Sequence, residues 1–319
     1  RAPRANIDAD DHRSADEQPP SELRATYFSV GCTLIAFGDL AVMTDPFFTH
    51  LPLATVAFGD VVPDPAASRP HLATLGDVRA ILVGHAHYDH VLDLPVVAPW
   101  THSDARIFGS QTLVHTFAAN HLPRPVRSVN SALSTASRAG PVLSLAGGRL
   151  RIRPIRSGHP NQVAFLHLYG GVLRRDRLTP PTAASDYQEG VTIAWLVDFM
   201  APDCHQIAAR VYIQTSSTGH PAGFFPAYIA SKRPVDLAVV GMDCANIKAR
   251  GGRSVLDFTG AKTVMFCHWE DFFAPKSGTP KEVVKVDLWA LRRTLANTAT
   301  RRYLFPAWDQ QFRVPVALK

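Results

Sequence analysis

The sequence predicts an α/β protein whose chemistry sits at the ends of its strands. Apolar runs of strand length recur along the chain and alternate with stretches of helical spacing. Polar residues able to bind a ligand recur where those runs stop, at Asp45, His85, His159, Ser217, Asp243 and His268. Side chains gathered at strand termini along one edge of a layered structure are how an α/β protein builds a site.

The elements follow in order. Residues 1–22 carry few apolar side chains and read as a polar tail or a surface-wrapping arm. Tyr27 to Val30 and Thr33 to Phe37 read as strands, with Gly38-Asp39 as a hairpin turn before Ala41-Val42-Met43. That strand stops at Thr44-Asp45-Pro46, where Asp45 serves either to cap a turn or to orient a ligand histidine. Residues 49–75 form an irregular, Pro-rich loop long enough to border a site.

Ala80 to Val83 is a buried strand, and Arg106 to Gly109 a short one followed by a helix that Ser110 caps. Val126 to Val129, Val142 to Leu145 and Leu150 to Ile155 continue the strand pattern up to Ser157-Gly158-His159-Pro160. Residues 163–189 read as an insertion. Val191 to Phe199 and Arg210 to Thr215 read as an antiparallel pair joined by the turn Ala201–Gln206. A short helix falls near Phe224–Ala230. Val235 to Gly241 and Thr263 to Phe266 are apolar strands, the first leading to Met242-Asp243-Cys244 and the second to Cys267-His268-Trp269. Lys281 to Thr298 is the strongest helical pattern, with Val284, Leu288, Leu291 and Leu295 on one face. The two halves follow a similar rhythm, and residues 23–319 read as one domain.

The bulk numbers fit this. With 46% hydrophobic and 19% charged residues among 319, the chain can bury a full core, and no apolar run approaches the ~20 residues of a membrane-spanning helix. Three Arg against six Asp and Glu make residues 1–22 acidic, so the formal net charge of +6 is concentrated in the rest. A basic body suits an anionic substrate or surface, but without a Lys/Arg run interleaved with aromatics it argues against nucleic acid as a partner. The four cysteines, Cys32, Cys204, Cys244 and Cys267, have neither zinc-ribbon spacing nor the density of a disulfide scaffold. The first residue is Arg1. The expected location is cytoplasmic, or exported if Arg1 is a processed terminus.

The strongest signal is Val83-Gly84-His85-Ala86-His87-Tyr88-Asp89-His90, which places three histidines and a carboxylate within six residues just after a buried strand. Val91, Leu92 and Leu94 continue as a helical turn, so the ligand-type side chains occupy a strand-to-helix loop. Imidazole and carboxylate are the usual ligands of zinc and similar metals.

With His85-x-His87-x-Asp89-His90, the chain resembles the metallo-β-lactamase superfamily of metal-dependent hydrolases over most of its length. The later Gly-His at His159, the two-strand hairpin and the late strand ending in His268 fit the same pattern. Thr44-Asp45-Pro46 and His-Tyr-Asp-His look most like the branch containing ascorbate-6-phosphate lactonase and N-acyl-phosphatidylethanolamine phospholipase D. The resemblance implies an αββα sandwich of two mixed β-sheets flanked by helices. It also implies two adjacent metal sites, one made by His85, His87 and His159, the other by Asp89, His90 and His268. Zinc is the implied ion, in one or two copies, with manganese or iron as alternatives. Asp89 and Asp45 are the carboxylates the resemblance brings to catalysis, in a reaction driven by a zinc-held hydroxide. One position departs from the family. A Gly-Asp-Thr-Gly-like turn normally supplies a carboxylate bridging both metals, and here Ser216-Ser217-Thr218-Gly219 puts Ser217 in its place. A neutral hydroxyl is a poor ligand for a divalent ion, so a strong first site and a weakened second one are expected. His220 or Asp243 could compensate, although Asp243 reads equally as a turn residue.

These features point to a hydrolase of ester, lactone or phosphodiester bonds in a small-molecule or lipid-like anionic substrate. Arg174, Arg175 and Arg177 in the insertion suit such a substrate and equally suit solvent. The alternatives are a binding protein that kept the fold and lost catalysis, favoured by Ser217, and a nuclease, favoured by the basic charge. Oligomeric state is left open.

Overall fold

The computed structural model describes residues 22–161, 168–242, 254–283, 287–296 and 301–316. The N-terminal arm, the first part of the 163–189 insertion, Asp243 and Cys244 lie outside the described residues.

The first sheet contains β1 (Leu23–Ser29), β2 (Cys32–Phe37), β3 (Leu40–Thr44), β4 (Val78–Leu82), β5 (Arg106–Gly109) and β6 (Val126–Ser128). The second contains β7 (Leu143–Leu145), β8 (Leu150–Arg156), β9 (Ile193–Met200), β10 (Ile207–Gln214), β11 (Leu237–Gly241), β12 (Thr263–Cys267) and β13 (Arg302–Leu304). The last strand, β14 (Gln310–Val314), returns to the first sheet and pairs with β1. The sheets run β14-β1-β2-β3-β4-β5-β6 and β13-β12-β11-β10-β9-β8-β7. In both, three antiparallel pairings are followed by three parallel ones. The repeated rhythm of the sequence is this repeated topology: β3, β4 and β5 correspond to β10, β11 and β12.

Burial explains the elements. In β1 the residues Leu23, Ala25 and Tyr27 point inward and alternate with polar side chains, as a strand with one core face requires. The parallel strands β11 and β12 are apolar and buried throughout, because both faces of the sheet are covered. Between the sheets pack Tyr27, Val42, Leu82 and Phe108 from one side against Ile152, Trp195, Val211 and Met265 from the other. Met43, Ile81 and Ile107 face outward onto the helical turns carrying Val91, Val97 and Leu113. On the opposite outer face Leu196, Val240 and Phe266 meet Ile229, Leu256 and Leu291. The layers are thus helix, sheet, sheet, helix. Each large apolar side chain fully buried in these layers contributes ~1.5–3 kcal/mol.

Three expectations need correction. Residues 49–75 are not irregular throughout: Leu53–Phe58 and Pro65–Ser68 are helical and Arg69–Leu75 forms a 3-10 turn, with Asp64 capping the second by accepting from Ala66 N at 2.9 Å. The helix expected over 281–298 is described only from Leu288 to Ala296. It starts late because Glu282 bridges to Glu270, and because the Asp287 carboxylate accepts from Ala290 N at 2.7 Å, as a helix N-cap does. Val284 and Thr298 lie outside the described residues. The helix near Phe224–Ala230 is limited to Ala227–Ala230.

Candidate metal centre

The site grows from the ends of β3 and β4, which are neighbours in the parallel half of the first sheet, with Thr44 opposite Leu82. Beyond those ends the chain leaves the sheet and its polar groups turn to one another. Asp45 Oδ1 accepts from Gly84 N at 2.6 Å, while Oδ2 lies 2.8 Å from His90 Nδ1. One buried carboxylate therefore fixes both the start of the histidine loop and the orientation of its last imidazole. Gly84 is needed for this approach. A Cβ there would lie 2.7 Å from Thr215 Oγ1 and 3.2 Å from the Asp45 carboxylate.

Asp93 anchors the other side of the loop. Its carboxylate accepts from Phe48 N at 2.6 Å, Thr49 N at 2.9 Å and Thr49 Oγ1 at 2.7 Å, tying the segment after Asp45 to the helical turns after His90. Burial pushes the Asp93 carboxyl up to about 6, against the hydrogen bonds from Phe48 and Thr49. A folded-state value above the unfolded one means this carboxyl favours folding at low pH, and the contribution is lost as pH rises from about 4 through 6. The change is on the order of 3 kcal/mol. Asp93→Asn, which mimics the protonated form, should therefore gain stability relative to the unmodified chain between pH 4 and pH 7. Denaturant unfolding at both values measures the difference, and an equal difference at the two would refute it.

The second sheet contributes the partners. His159 follows β8, where Ser157 N donates to Thr192 O at 2.9 Å and His159 Nδ1 lies 2.6 Å from Pro160 O. His268 follows β12 in a left-handed backbone conformation (φ 59°), its N–H donating to Val30 O at 3.0 Å. Val30 and Asp45 are also left-handed (φ 49° and 38°), so three non-glycine residues with unfavourable backbone meet here.

Two groups of three ligand side chains result: His85, His87 and His159, and Asp89, His90 and His268, each with its ligand atoms within 4.8 Å of one another. The ring centroids of His85 and His90 are 3.9 Å apart, so the groups adjoin. Asp89 Oδ2 lies 3.3 Å from His268 Nε2 and 3.6 Å from His90 Nε2. The electrostatics favour ligands in their binding forms. Burial, reinforced by the imidazoles of His90, His159, His87 and His268, drives the His85 ring far below the ordinary histidine value, and burial beside His87 lowers His159 to about 3. Burial alone would raise the Asp89 carboxyl, but His90 and His268 outweigh it and hold it well below the usual carboxylate range. These residues fit a divalent metal. Among the described residues both ring nitrogens of His85 and Nε2 of His90 are buried without a hydrogen bond, a costly arrangement for a polar group unless a ligand takes it up.

The structure thus brings together His85, His87, His159, Asp89, His90 and His268, with Asp45 behind His90. Ser217 is buried in the turn after β10, where its Oγ accepts from Gly219 N at 3.2 Å. His220 is in neither group. It is exposed, its ring 4.7 Å from that of Phe224, because the chain has turned outward by that point. Asp243, the other candidate for compensation, lies outside the described residues. Of the insertion's arginines, Arg177 pairs with Asp186 at 2.9 Å, while Arg174 and Arg175 face solvent. The described part of the insertion borders the site: Tyr169 O lies 3.2 Å from His87 Nε2 and accepts from Glu189 N, while Glu189 O accepts from Ala86 N.

Two participants escaped the sequence reading. Glu189 carries no pattern that would single it out. Glu270 does, as a carboxylate two residues past His268, yet its role depends on the distant Tyr27 and Val30. It is fully buried and accepts from Val30 N at 2.6 Å and Trp269 N at 3.1 Å, with Tyr27 Oη 2.6 Å from both oxygens.

Fold and ligand groups together define a class, the metal-dependent hydrolases built on an αββα sandwich. The chain belongs to the β-lactamase superfamily: the family described as "Beta-lactamase superfamily domain" matches residues 41–269. The metallo-β-lactamase resemblance read from the sequence holds at that level, and nothing singles out a branch within it. No curated protein sequence matches the chain. Among solved structures it is similar to the isothiocyanate hydrolase from Delia radicum gut bacteria, at 11% identity and a TM-score of 0.53, covering 92% of this chain and 100% of that one. It is similar to a possible metal-dependent hydrolase from Veillonella parvula, at 13% identity and a TM-score of 0.53, covering 91% and 99%. A third is Igni18, a metallo hydrolase from Ignicoccus hospitalis, at 12% identity and a TM-score of 0.51, covering 92% and 98%. At such identities the likeness is one of fold.

Proposed function

We propose that this chain hydrolyses an ester, lactone or phosphodiester bond in a small anionic or lipid-like substrate. The reading places zinc at His85, His87 and His159 and a second, more weakly held ion at Asp89, His90 and His268. The observation that carries it is the pair of adjoining ligand groups with the buried, unbonded nitrogens of His85 between them. A divalent ion held there brings the pKa of a water molecule towards neutrality and polarises the bond under attack. The chain's own residues prepare the site. Burial keeps the imidazole of His85 neutral, Asp45 holds the His90 ring in place, and Asp89 stays ionised beside His268. An anionic substrate is supported by the net charge of +6 and by Arg156, which lines a cavity of about 250 Å³ with Ser157, Thr218 and His220, three residues before His159.

A second reading, a binding protein without catalysis, rests on Ser217 in place of the bridging carboxylate. Metal content and turnover of p-nitrophenyl esters and bis-p-nitrophenyl phosphate separate the two. Bound metal with turnover supports the hydrolase, and a chain purified without metal and without turnover sinks it. Ser217→Asp should restore one negative charge to the turn and strengthen the second ion by ~10-fold or more. Elemental analysis across a metal titration reads this as a rise from one towards two ions per chain. Unchanged stoichiometry would mean Ser217 is not the weak point.

A further inference from the structure

We infer that the chain binds a phosphate-type oxyanion in a cleft at the end of the sandwich opposite the histidine loop. The cleft has a volume of about 490 Å³ and lies between Arg79, Asp104 and Arg106 on one side and the β7–β8 turn, Ser144 to Gly148, on the other. Arg79 lies near the start of β4 and Arg106 opens β5, strands whose far ends lead to the site. The β7–β8 turn likewise opens β8, whose seven residues span on the order of 20 Å before the chain reaches His159. The cleft and the metal centre are therefore separate places.

Its two guanidinium groups lack what such groups need. Both are half-buried, and among the described residues neither has a carboxylate within ion-pair distance. Arg106 Nη1 donates only to the carbonyls of Asp104 at 2.8 Å and Ala105 at 3.1 Å. Arg79 Nη1 lies 3.0 Å from His102 Nδ1, and its Nε is buried with no hydrogen bond among the described residues. Arg149, one residue past the cleft, pairs with a carboxylate, making two contacts to Asp39 at 2.9 and 2.5 Å, although its own Nε is likewise buried without a hydrogen bond among the described residues. Asp104 belongs to the rim: its side chain is 78% exposed and turned 4.0 Å from His102 Nδ1. Asp39, already paired with Arg149, acts on Arg79 only from beyond ion-pair distance, so each half-buried guanidinium can take an anion, and the planar fork of arginine matches phosphate oxygens two at a time.

The opposite wall leaves room for a ligand. Ala146, Gly147 and Gly148 are all left-handed (φ 50°, 64° and 92°), and a Cβ on Gly147 would meet nothing within 4 Å. The volume falls in the ~300–1,000 Å³ range of small-molecule sites and exceeds what inorganic phosphate fills, so a phosphate monoester is the favoured form.

The test is titration calorimetry on the full chain with inorganic phosphate and with phenyl phosphate. It compares the unmodified protein, Arg106→Met and His85→Ala. Phosphate should bind the unmodified chain and His85→Ala equally and Arg106→Met at least ~10-fold more weakly, with hydrolytic turnover of Arg106→Met unchanged. Tighter binding of phenyl phosphate marks an ester ligand, and the reverse marks the free ion. No binding to the unmodified chain, or binding lost in His85→Ala and kept in Arg106→Met, overturns the inference. If Arg106→Met fails to fold, Gly147→Asp puts a negative charge into the open space and should abolish binding. Aspartate tolerates the left-handed backbone there. Because the readout is binding rather than turnover, failure of the hydrolase reading would leave this result interpretable.

Discussion

His85→Ala is expected to remove the ion from the first ligand group and to lower turnover by more than the ~10–100-fold that loss of an outer hydrogen-bond partner costs a metal site. His85 is 1% exposed and neither ring nitrogen has a hydrogen bond among the described residues, so a bound metal would compensate its desolvation. The same fact predicts an unusual stability result. Truncating a buried side chain usually costs stability through the cavity left behind. Here truncation also removes two buried ring nitrogens that have no hydrogen bond among the described residues. After chelation, therefore, His85→Ala and the unmodified chain should unfold at nearly the same temperature. Added zinc should stabilise the unmodified chain much more strongly, since binding to the folded state alone raises stability by RT ln(1 + [L]/Kd). Elemental analysis and thermal unfolding, each with and without chelator, check this. A variant that keeps its full complement of metal would show that His85 is not a ligand.

Glu270→Ala should cause the largest loss of stability among these substitutions. The Glu270 carboxylate is fully buried and serves Tyr27 Oη, Val30 N and Trp269 N. Burial and the adjacent Glu270 carboxylate raise the Tyr27 hydroxyl well above its ordinary value, so the phenol stays protonated as a donor. Removing the acceptor strands three buried donors at ~1–3 kcal/mol each, a total on the order of 3–9 kcal/mol. A domain's whole stability is only ~5–15 kcal/mol. The damage should also reach the metal centre, because Val30 O receives the N–H of His268 and both residues are held left-handed. Metal should therefore leave the Asp89, His90 and His268 group before the other. Glu270→Gln keeps one acceptor oxygen and should recover part of the loss. Denaturant unfolding and metal titration measure both effects, and an Ala variant as stable as the unmodified chain would show that Glu270 clamps nothing.

Much of this was legible in the chain itself. Local signals placed most strands within a residue or two, because a buried strand must be apolar over a short run and must then stop. The histidine loop was legible for a related reason: His85 to His90 are contiguous, and four ligand-type side chains right after a buried strand have few other uses. Short edge strands were harder. β13 and β14 have mixed, partly exposed residues, and β14 exists because it pairs with β1 from the far end of the chain. The helix pattern beginning at Lys281 overran because periodicity ignores competing partners, and Glu282 is taken by Glu270.

The pattern of residues was thus enough for the class of fold, the edge of the sheets that carries the chemistry, and six of the side chains that converge there. Those depend on apolar periodicity and on neighbours in sequence, which a single chain displays. Asp45 stood open between capping a turn and holding a histidine, and folding resolved it by setting β3 beside β4, which brings its carboxylate to Gly84 N and His90 Nδ1 at once. The clamp of Glu270 on Val30 and the unpaired guanidinium groups opposite the site came only with folding. Contacts across hundreds of residues of sequence leave no periodic trace, because they are set by how two sheets lie against each other.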